Sequence, residues 1–336
     1  MLPSMRFGIF GSAQAKRGGA DVDSGAGFRE FVDNNVEAEA LGYVSSFLVE
    51  HHFTGFGQVS ATLNLLTWVG ARTTTLRLGT AVMVLSWHNP VLLAEQAATI
   101  DLLSGGRLDF GIGPGYRHNE FAGFCIPMEE GDARFDESIE VIVKAWTSDT
   151  RWSHHGKYWQ FEDVIVEPPT AQKPHPPLWM GAGKPESIRK VAARGYNLLL
   201  DQFASIEQIG ERLALYRSEV ERLGRRYDPM SVAVARSINV AMTREERQQA
   251  LETRLAARRR VAALAQRPDG QNTASILTYA DTLQATDAAA LYGPPEEIAA
   301  KLERLRELGV EYLLVNSTGG AESLRRFARE LMPSFS

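Results

Sequence analysis

Three consecutive ionisable residues, Glu50, His51 and His52, follow the apolar run at 43–49. The chain has only 7 histidines among 336 residues, so an adjacent pair beside a carboxylate asks for a chemical reason. An imidazole at a strand end can exchange a proton near neutral pH or hydrogen-bond a developing anion. The plainer alternative is one histidine satisfying the core and one in solvent. In extended chain the two rings point to opposite faces, so only one need face a site. A metal centre is not expected, because Glu-His-His lacks the i, i+4 spacing of H-E-x-x-H and no Cys or His cluster supplies further ligands.

Two glycine-rich stretches, GIGPGYR at 111–117 and GAGKPES at 181–187, add a second kind of chemistry. Glycine lets backbone approach a ligand closely and adopt positive φ. GAGKPES runs directly into a helix pattern, whose free N–H groups favour an anion. Either stretch could be an ordinary strand-to-helix turn. Together they point to a phosphate-bearing cofactor.

These groups need strands to carry them. Apolar runs at 5–11, 43–50, 76–85, 107–113, 178–183, 196–200, 231–242 and 311–316 read as eight strands, and nearly every one is followed by helical periodicity. The run at 76–85 lacks alternation, so both of its faces are expected to be buried. Helices are expected near 24–41, 59–73, 89–106, 133–147, 185–195, 205–224 and 244–265, then from 295 and from 320. Such alternation predicts parallel sheet with right-handed crossovers, and eight units predict a (β/α)8 TIM barrel. A doubly wound open sheet is the alternative, but the first strand-to-helix turn lacks a G-x-G-x-x-G fingerprint. The whole chain, 1–336, reads as one barrel domain. Insertions at 149–177, with a short hairpin, and at 266–292 follow strands four and seven near the active-site face.

In such a barrel chemistry sits at the carboxyl ends of strands. Those ends hold Phe10; Glu50, His51 and His52; Ala81, Val82 and Met83, followed by Trp87 and His88; Gly113, Gly115, Tyr116 and Arg117; Gly181, Ala182, Gly183 and Lys184; and Asp201 with Phe203. Aromatic residues there suggest an apolar pocket and an apolar or amphipathic small-molecule substrate.

Net charge is −5, from 36 basic and 41 acidic residues, which argues against nucleic acid or an anionic membrane as partner. The densest basic run, at 254–267, reads as a solvated helix face, ahead of a phosphate-binding patch. Cys125 is the lone cysteine, so no internal disulfide can form, and it is expected to be a small buried hydrophobe. With no signal peptide pattern and no long apolar span, a cytoplasmic location is expected.

The block EHHF, together with LRLGTAVMVL and HNPVLLAEQAATIDLLSGGRLDFGIG, resembles the bacterial luciferase-like flavin-dependent monooxygenases. The resemblance runs from MRFGIF through PLWMGAGKPESIRKVAARGY to GPPEEIAAKLERLRELGVEYLLVN. It implies a (β/α)8 barrel, reduced FMN from a separate NAD(P)H-dependent flavin reductase, and O2 captured as a C4a-hydroperoxide that oxygenates a small organic substrate. It also suggests a homodimer. His51 matches the family's catalytic histidine beside the flavin, and Glu50 and His52 match the acid and second histidine of the luciferases. Ala81 and Val82 match a pair joined by a cis peptide beneath the isoalloxazine ring. The segment 181–183 matches the one that contacts the phosphate.

The sequence departs from that pattern at Pro114, where luciferases carry a phosphate-gripping arginine; Arg117 or Arg134 are the candidates to replace its charge. Two other functions fit the resemblance: hydride transfer with a deazaflavin coenzyme, and flavin binding without catalysis. EHHF favours the oxygenase.

Overall fold

The computed structural model describes residues 4–271, 274–317 and 320–336; positions 272–273 of the expected 266–292 insertion lie outside the described residues. The first half runs β1 (Arg6–Gly11), α1 (Ala26–Ala40), β2 (Ser45–Leu48), α2 (Thr62–Arg72), β3 (Arg77–Thr80), β4 (Met83–Val84), α3 (Pro90–Leu103) and β5 (Leu108–Gly113). There follow α4 (His118–Gly123), α5 (Gly131–Thr147), the strands β6 (Trp152–His155) and β7 (Gln160–Val164), and β8 (Leu178–Gly181). The remainder is α6 (Pro185–Arg194), β9 (Asn197–Leu200), α7 (Ile206–Arg222), β10 (Val232–Val240), α8 (Arg244–Ala265), α9 (Leu283–Ala289), β11 (Leu291–Gly293), α10 (Pro295–Glu307), β12 (Tyr312–Ser317) and α11 (Gly320–Glu330).

The hydrogen-bonded strand order is β1-β2-β3-β5-β8-β9-β10-β12, with β12 parallel to β1 and β10 parallel to both β9 and β12. That succession is the closed (β/α)8 barrel expected from the alternation of apolar runs and helices. By their internal contacts the residues form two compact units, Met1–Gly11 with Asn34–Phe47 and Trp179–Ser336, and Ser12–Asp33 with Leu48–Leu178.

In the first unit the registers Phe7↔Leu313, Ile9↔Val315 and Val234↔Leu313 align strands whose side chains are buried on both faces. Phe7, Leu198, Leu200, Val234, Leu313 and Phe327 belong to one apolar cluster. Gly8 is required there, since a Cβ on it would lie 2.1 Å from Ser45 Oγ and 2.8 Å from Leu314 Cδ2. Helix α8 starts at a reciprocal capping box of Thr243 and Glu246, at the bounds its periodicity predicts. The segment expected to be irregular contains α9, capped by Thr282, and β11, which pairs with the outer part of β10. A three-residue strand is too short for a readable pattern.

In the second unit the run 76–85 is not one strand. It divides into β3, paired with β5 through Leu78↔Leu108, and β4, paired through Met83↔Ile112. The Ala81–Val82 peptide between them is cis, as the resemblance implies. Arg107 ties α2 to the barrel by donating to the Gly70, Thr73 and Leu76 carbonyls. The expected hairpin is present as β6 and β7, and Glu137 of α5 accepts the Lys157, Tyr158 and Trp159 N–H groups at its turn. Helix α4 is short and lacks a side-chain cap, so the sequence gives no start signal for it.

Among the described residues no helix is long and apolar enough to cross a membrane. Cys125 is exposed, at positive φ, 55°. This corrects the expectation of a buried thiol: the turn after α4 projects it outward. The basic run also differs from its expected solvated face. Arg258 is 8% exposed and donates to the Tyr279 and Ala280 carbonyls.

Candidate functional site

The chemistry of the second unit centres on two buried carboxylates, Glu50 and Glu120, each about 1% exposed. Strand β2 ends at Leu48, and the chain then leaves the sheet with Glu50, His51 and His52. The His51 backbone N–H is held by the Val59 carbonyl at 3.1 Å, and Thr62 at the start of α2 donates to the Val49 carbonyl at 3.0 Å. Both contacts fix the turn before any side chain is considered.

Glu50 collects donors. Its Oε1 accepts from His52 Nε2 at 2.7 Å, His88 Nε2 at 2.8 Å and Trp87 Nε1 at 2.8 Å. Its Oε2 accepts the Val84 N–H at 3.0 Å. Burial by itself would raise the pKa of this carboxyl. The His52 and His88 hydrogen bonds, the His88 charge and the Trp87 indole outweigh it and bring it down to about 2. Glu50 is therefore ionised across the working pH range, and both imidazoles turn Nε2 toward it as donors.

Trp87 and His88 reach Glu50 because local sequence fixes the entry to α3. Ser86 donates to the Pro114 carbonyl at 2.6 Å. Asn89 caps the helix by accepting the Val91 and Leu92 N–H groups, and Pro90 occupies its first turn. Around His52 the rings of Trp87 and Phe124 stack at 5.0 Å, and His52 meets Phe124 edge-on at 4.9 Å.

His51 engages the other carboxylate. Its Nδ1 lies 3.0 Å from Glu120 Oε1, the oxygen that also accepts the His52 backbone N–H at 2.9 Å. With Glu120 as acceptor, Nδ1 carries the proton and Nε2 keeps its lone pair. Burial pushes the His51 pKa below the ordinary histidine value, and the Arg117 charge adds to that, more than the Glu120 hydrogen bond restores. The ring is neutral at pH 7. The adjacent histidines thus serve different carboxylates, and each carboxylate fixes one tautomer.

Arg117 is 2% exposed, and its Nη1 is a buried donor without a partner among the described residues. Its Nε donates to Tyr116 Oη at 3.4 Å, and Tyr116 is 37% exposed. Arg134 pairs with Glu130 at 2.9 Å and covers the Tyr158 ring. Met83 is buried, and Ala81 and Val82 are partly exposed beside it. Gly113 lies against Val82, where an added Cβ would lie 2.9 Å from Cγ2. Gly115 has φ 86°, a conformation glycine supplies. The second unit thus brings together Glu50, His51, His52, Ala81, Val82, Met83, Gly113, Gly115, Tyr116 and Arg117.

The other predicted residues belong to the first unit. Phe10 is a partly exposed residue of β1. Gly181, Ala182 and Gly183 leave β8, and Lys184 is the N-cap residue of α6 with Pro185 behind it. A Cβ on Gly183 would lie 3.3–3.4 Å from the Arg212 guanidinium, so a cation stands against this loop. Arg212 itself is held by Asp201 Oδ2 at 3.0 Å and Tyr279 Oη at 3.1 Å.

Sequence reading missed Glu120, and it did not assign Trp87 and His88 to Glu50. The only available signal for Glu120 was an acid in the first turn after the fourth strand exit. Among the described residues no group of three or more His, Cys, Asp or Glu could hold a metal ion.

A monooxygenase from Streptomyces bottropensis, RslO1, superimposes with a TM-score of 0.81 at 27% identity, covering 99% of this chain and 100% of that one. An FMNH2-dependent dimethylsulfone monooxygenase from Pseudomonas putida is 27% identical over 78% of this chain and 75% of its own length. An F420-dependent glucose-6-phosphate dehydrogenase from Nakamurella multipartita is 28% identical over 98% of this chain and 96% of its own. The chain spans about half the length, 53% and 57%, of two Sinorhizobium fredii relatives, at 29% and 35% identity over 55% and 59% of this chain. The family model for luciferase-like monooxygenases matches residues 5–312, a span that takes in residues 50–52 and both glycine-rich exits, and the chain belongs to that family.

Proposed function

We propose that this chain is the oxygenase component of a two-component flavin system that uses reduced FMN and O2 to place one oxygen atom in a small organic substrate. Reduced FMN, delivered by a separate NAD(P)H-dependent reductase, supplies the electrons that activate O2. The observation that carries the reading is His51: a neutral imidazole with Nδ1 tied to buried Glu120 and with no hydrogen bond to Nε2 among the described residues. Relatives named as FMNH2-dependent and as monooxygenases support it.

The second unit fits a flavin. Ala81 and Gly113 are small enough to leave room for a planar ring, and Arg117 Nη1 is a buried donor awaiting an acceptor. Such a donor is costly to leave unpaired. His51 Nε2 takes a proton from a reacting group, and as imidazolium it returns that proton or stabilises an adjacent anion. Glu120 fixes the tautomer that makes this possible. Glu50 holds His52, Trp87 and His88 in place, so it acts by positioning. In the first unit, the backbone of 181–183 and the start of α6 at Lys184 suit an anion such as a phosphate, and the Arg212 guanidinium stands beside Gly183.

A hydride-transfer reading is favoured by one observation, the F420-dependent relative matched over 98% of this chain. Stopped-flow mixing decides between them. The reduced FMN complex met by O2 should show a transient absorbance distinct from reduced and oxidised FMN. Oxygen-independent turnover with deazaflavin, and no such transient with FMN, would reverse the assignment.

We also propose a homodimer. Large exposed apolar side chains concentrate on α2 and α3: Trp68 at 63%, Leu92 at 55% and Leu103 at 72%. Light scattering should give twice the chain mass, and Trp68→Glu should reduce it to one.

A further inference from the structure

The first unit contains a guanidinium without an anion. Arg254 of α8 makes no hydrogen bond or ion pair among the described residues, and its Nη2 is buried. Its Cζ sits 5.1 Å from the centroid of Phe203, on the turn after β9. That turn is already crowded with positive charge. Arg236, 0% exposed within β10, donates Nη1 to the Asp201 carbonyl at 2.9 Å and Nη2 to the Ala204 carbonyl at 3.0 Å, leaving its Nε without a partner. Arg258 follows one helical turn after Arg254 and binds the Tyr279 and Ala280 carbonyls.

Among the described residues one carboxylate serves this group, and it is spent. Asp201 Oδ1 accepts the Phe203 and Ala204 N–H groups, and Oδ2 accepts from Arg212 and from Tyr279 Oη at 2.6 Å. Arg254 remains. Burial pushes its pKa down, and Arg258 repels its charge. The Phe203 ring face attracts the guanidinium, but a desolvated cation beside like charges still gains from an anion.

We propose that Arg254 binds the carboxylate of an aromatic organic acid whose ring lies beside Phe203. A guanidinium fork matches a carboxylate in charge and plane. Phe203 lies under Arg254, with Tyr279 tilted against Phe203 at 6.0 Å; these rings supply an apolar wall for the acid's own ring.

Calorimetric titration of the full chain with benzoate and phenylacetate, in the presence and absence of saturating FMN, tests this. At least one acid should bind with FMN present. Benzyl alcohol and inorganic phosphate should bind at least tenfold more weakly. Arg254→Met should lose at least tenfold in acid affinity, with a circular dichroism spectrum and an FMN affinity like those of the wild type. If Arg254→Met misfolds, Arg254→Lys, which keeps the charge but loses the fork, should weaken the acid by several-fold. The proposal is overturned if neither acid binds, if both variants bind as the wild type does, or if FMN or phosphate displaces the acid, which would mark a cofactor phosphate site.

Discussion

His51 Nδ1 and Glu120 Oε1 lie 3.0 Å apart although 69 residues separate them in the chain. The pairing turns a generic histidine into one with a defined tautomer, because a carboxylate that already accepts a backbone N–H presents only an acceptor to the ring. His51→Ala should lose roughly a hundredfold or more in coupled product formation, since acid–base groups contribute about 10²–10⁴. Glu120→Gln should lose less in product but release the tautomer, shifting the pH profile of product formation with FMN affinity intact. Wild-type product yield in His51→Ala would remove that ring from the chemistry.

Glu50 predicts a stability effect before a catalytic one. Glu50→Gln replaces an acceptor for four N–H groups by an amide with one acceptor oxygen. At least one buried donor is left unpaired, and a loss of about 3 kcal/mol is expected in urea unfolding. His52→Ala should be milder than His51→Ala in product formation, because its ring spends Nε2 on Glu50. Equal losses would contradict the division of roles.

Acid should weaken the fold in two windows. The folded pKa of His51 lies below the unfolded value of 6.5, so the unfolded chain takes up the proton first as pH falls. Stability present above that value declines below it. His51→Gln should therefore lose less unfolding free energy between pH 7 and pH 5 than the wild type. Glu50 acts lower: its folded pKa of about 2 lies below the unfolded 4.5. Its contribution is intact above pH 4.5 and is lost between there and pH 2. Denaturant titrations across pH check both windows, and identical wild-type and His51→Gln slopes would refute the first.

Gly8 offers a test of the barrel wall. A Cβ there would strike Ser45 Oγ, whose hydroxyl partners Tyr312 at 2.5 Å, and would crowd Leu314. Gly8→Ala should cost about 2 kcal/mol by overpacking, read as a lower thermal midpoint. An unchanged midpoint would mean that β1 and β12 can separate to admit a methyl group.

Much of this protein is written in local sequence. Apolar runs of strand length, helical periodicity and capping residues such as Thr243 with Glu246 act within a few residues, so eight strands and the bounds of α8 could be read directly. The Glu-His-His block and its glycine-rich companions were legible as chemistry for the same reason. Tertiary structure decided which carboxylate each histidine meets. Glu50 gathers His88 from 38 residues away, and Glu120 reaches His51 across 69. It also decided that the basic face of α8 is partly buried, leaving Arg254 Nη2 without a partner among the described residues. Local patterns carry the free energy of elements; a side chain's protonation and pairing depend on burial and on neighbours that only the closed chain brings near.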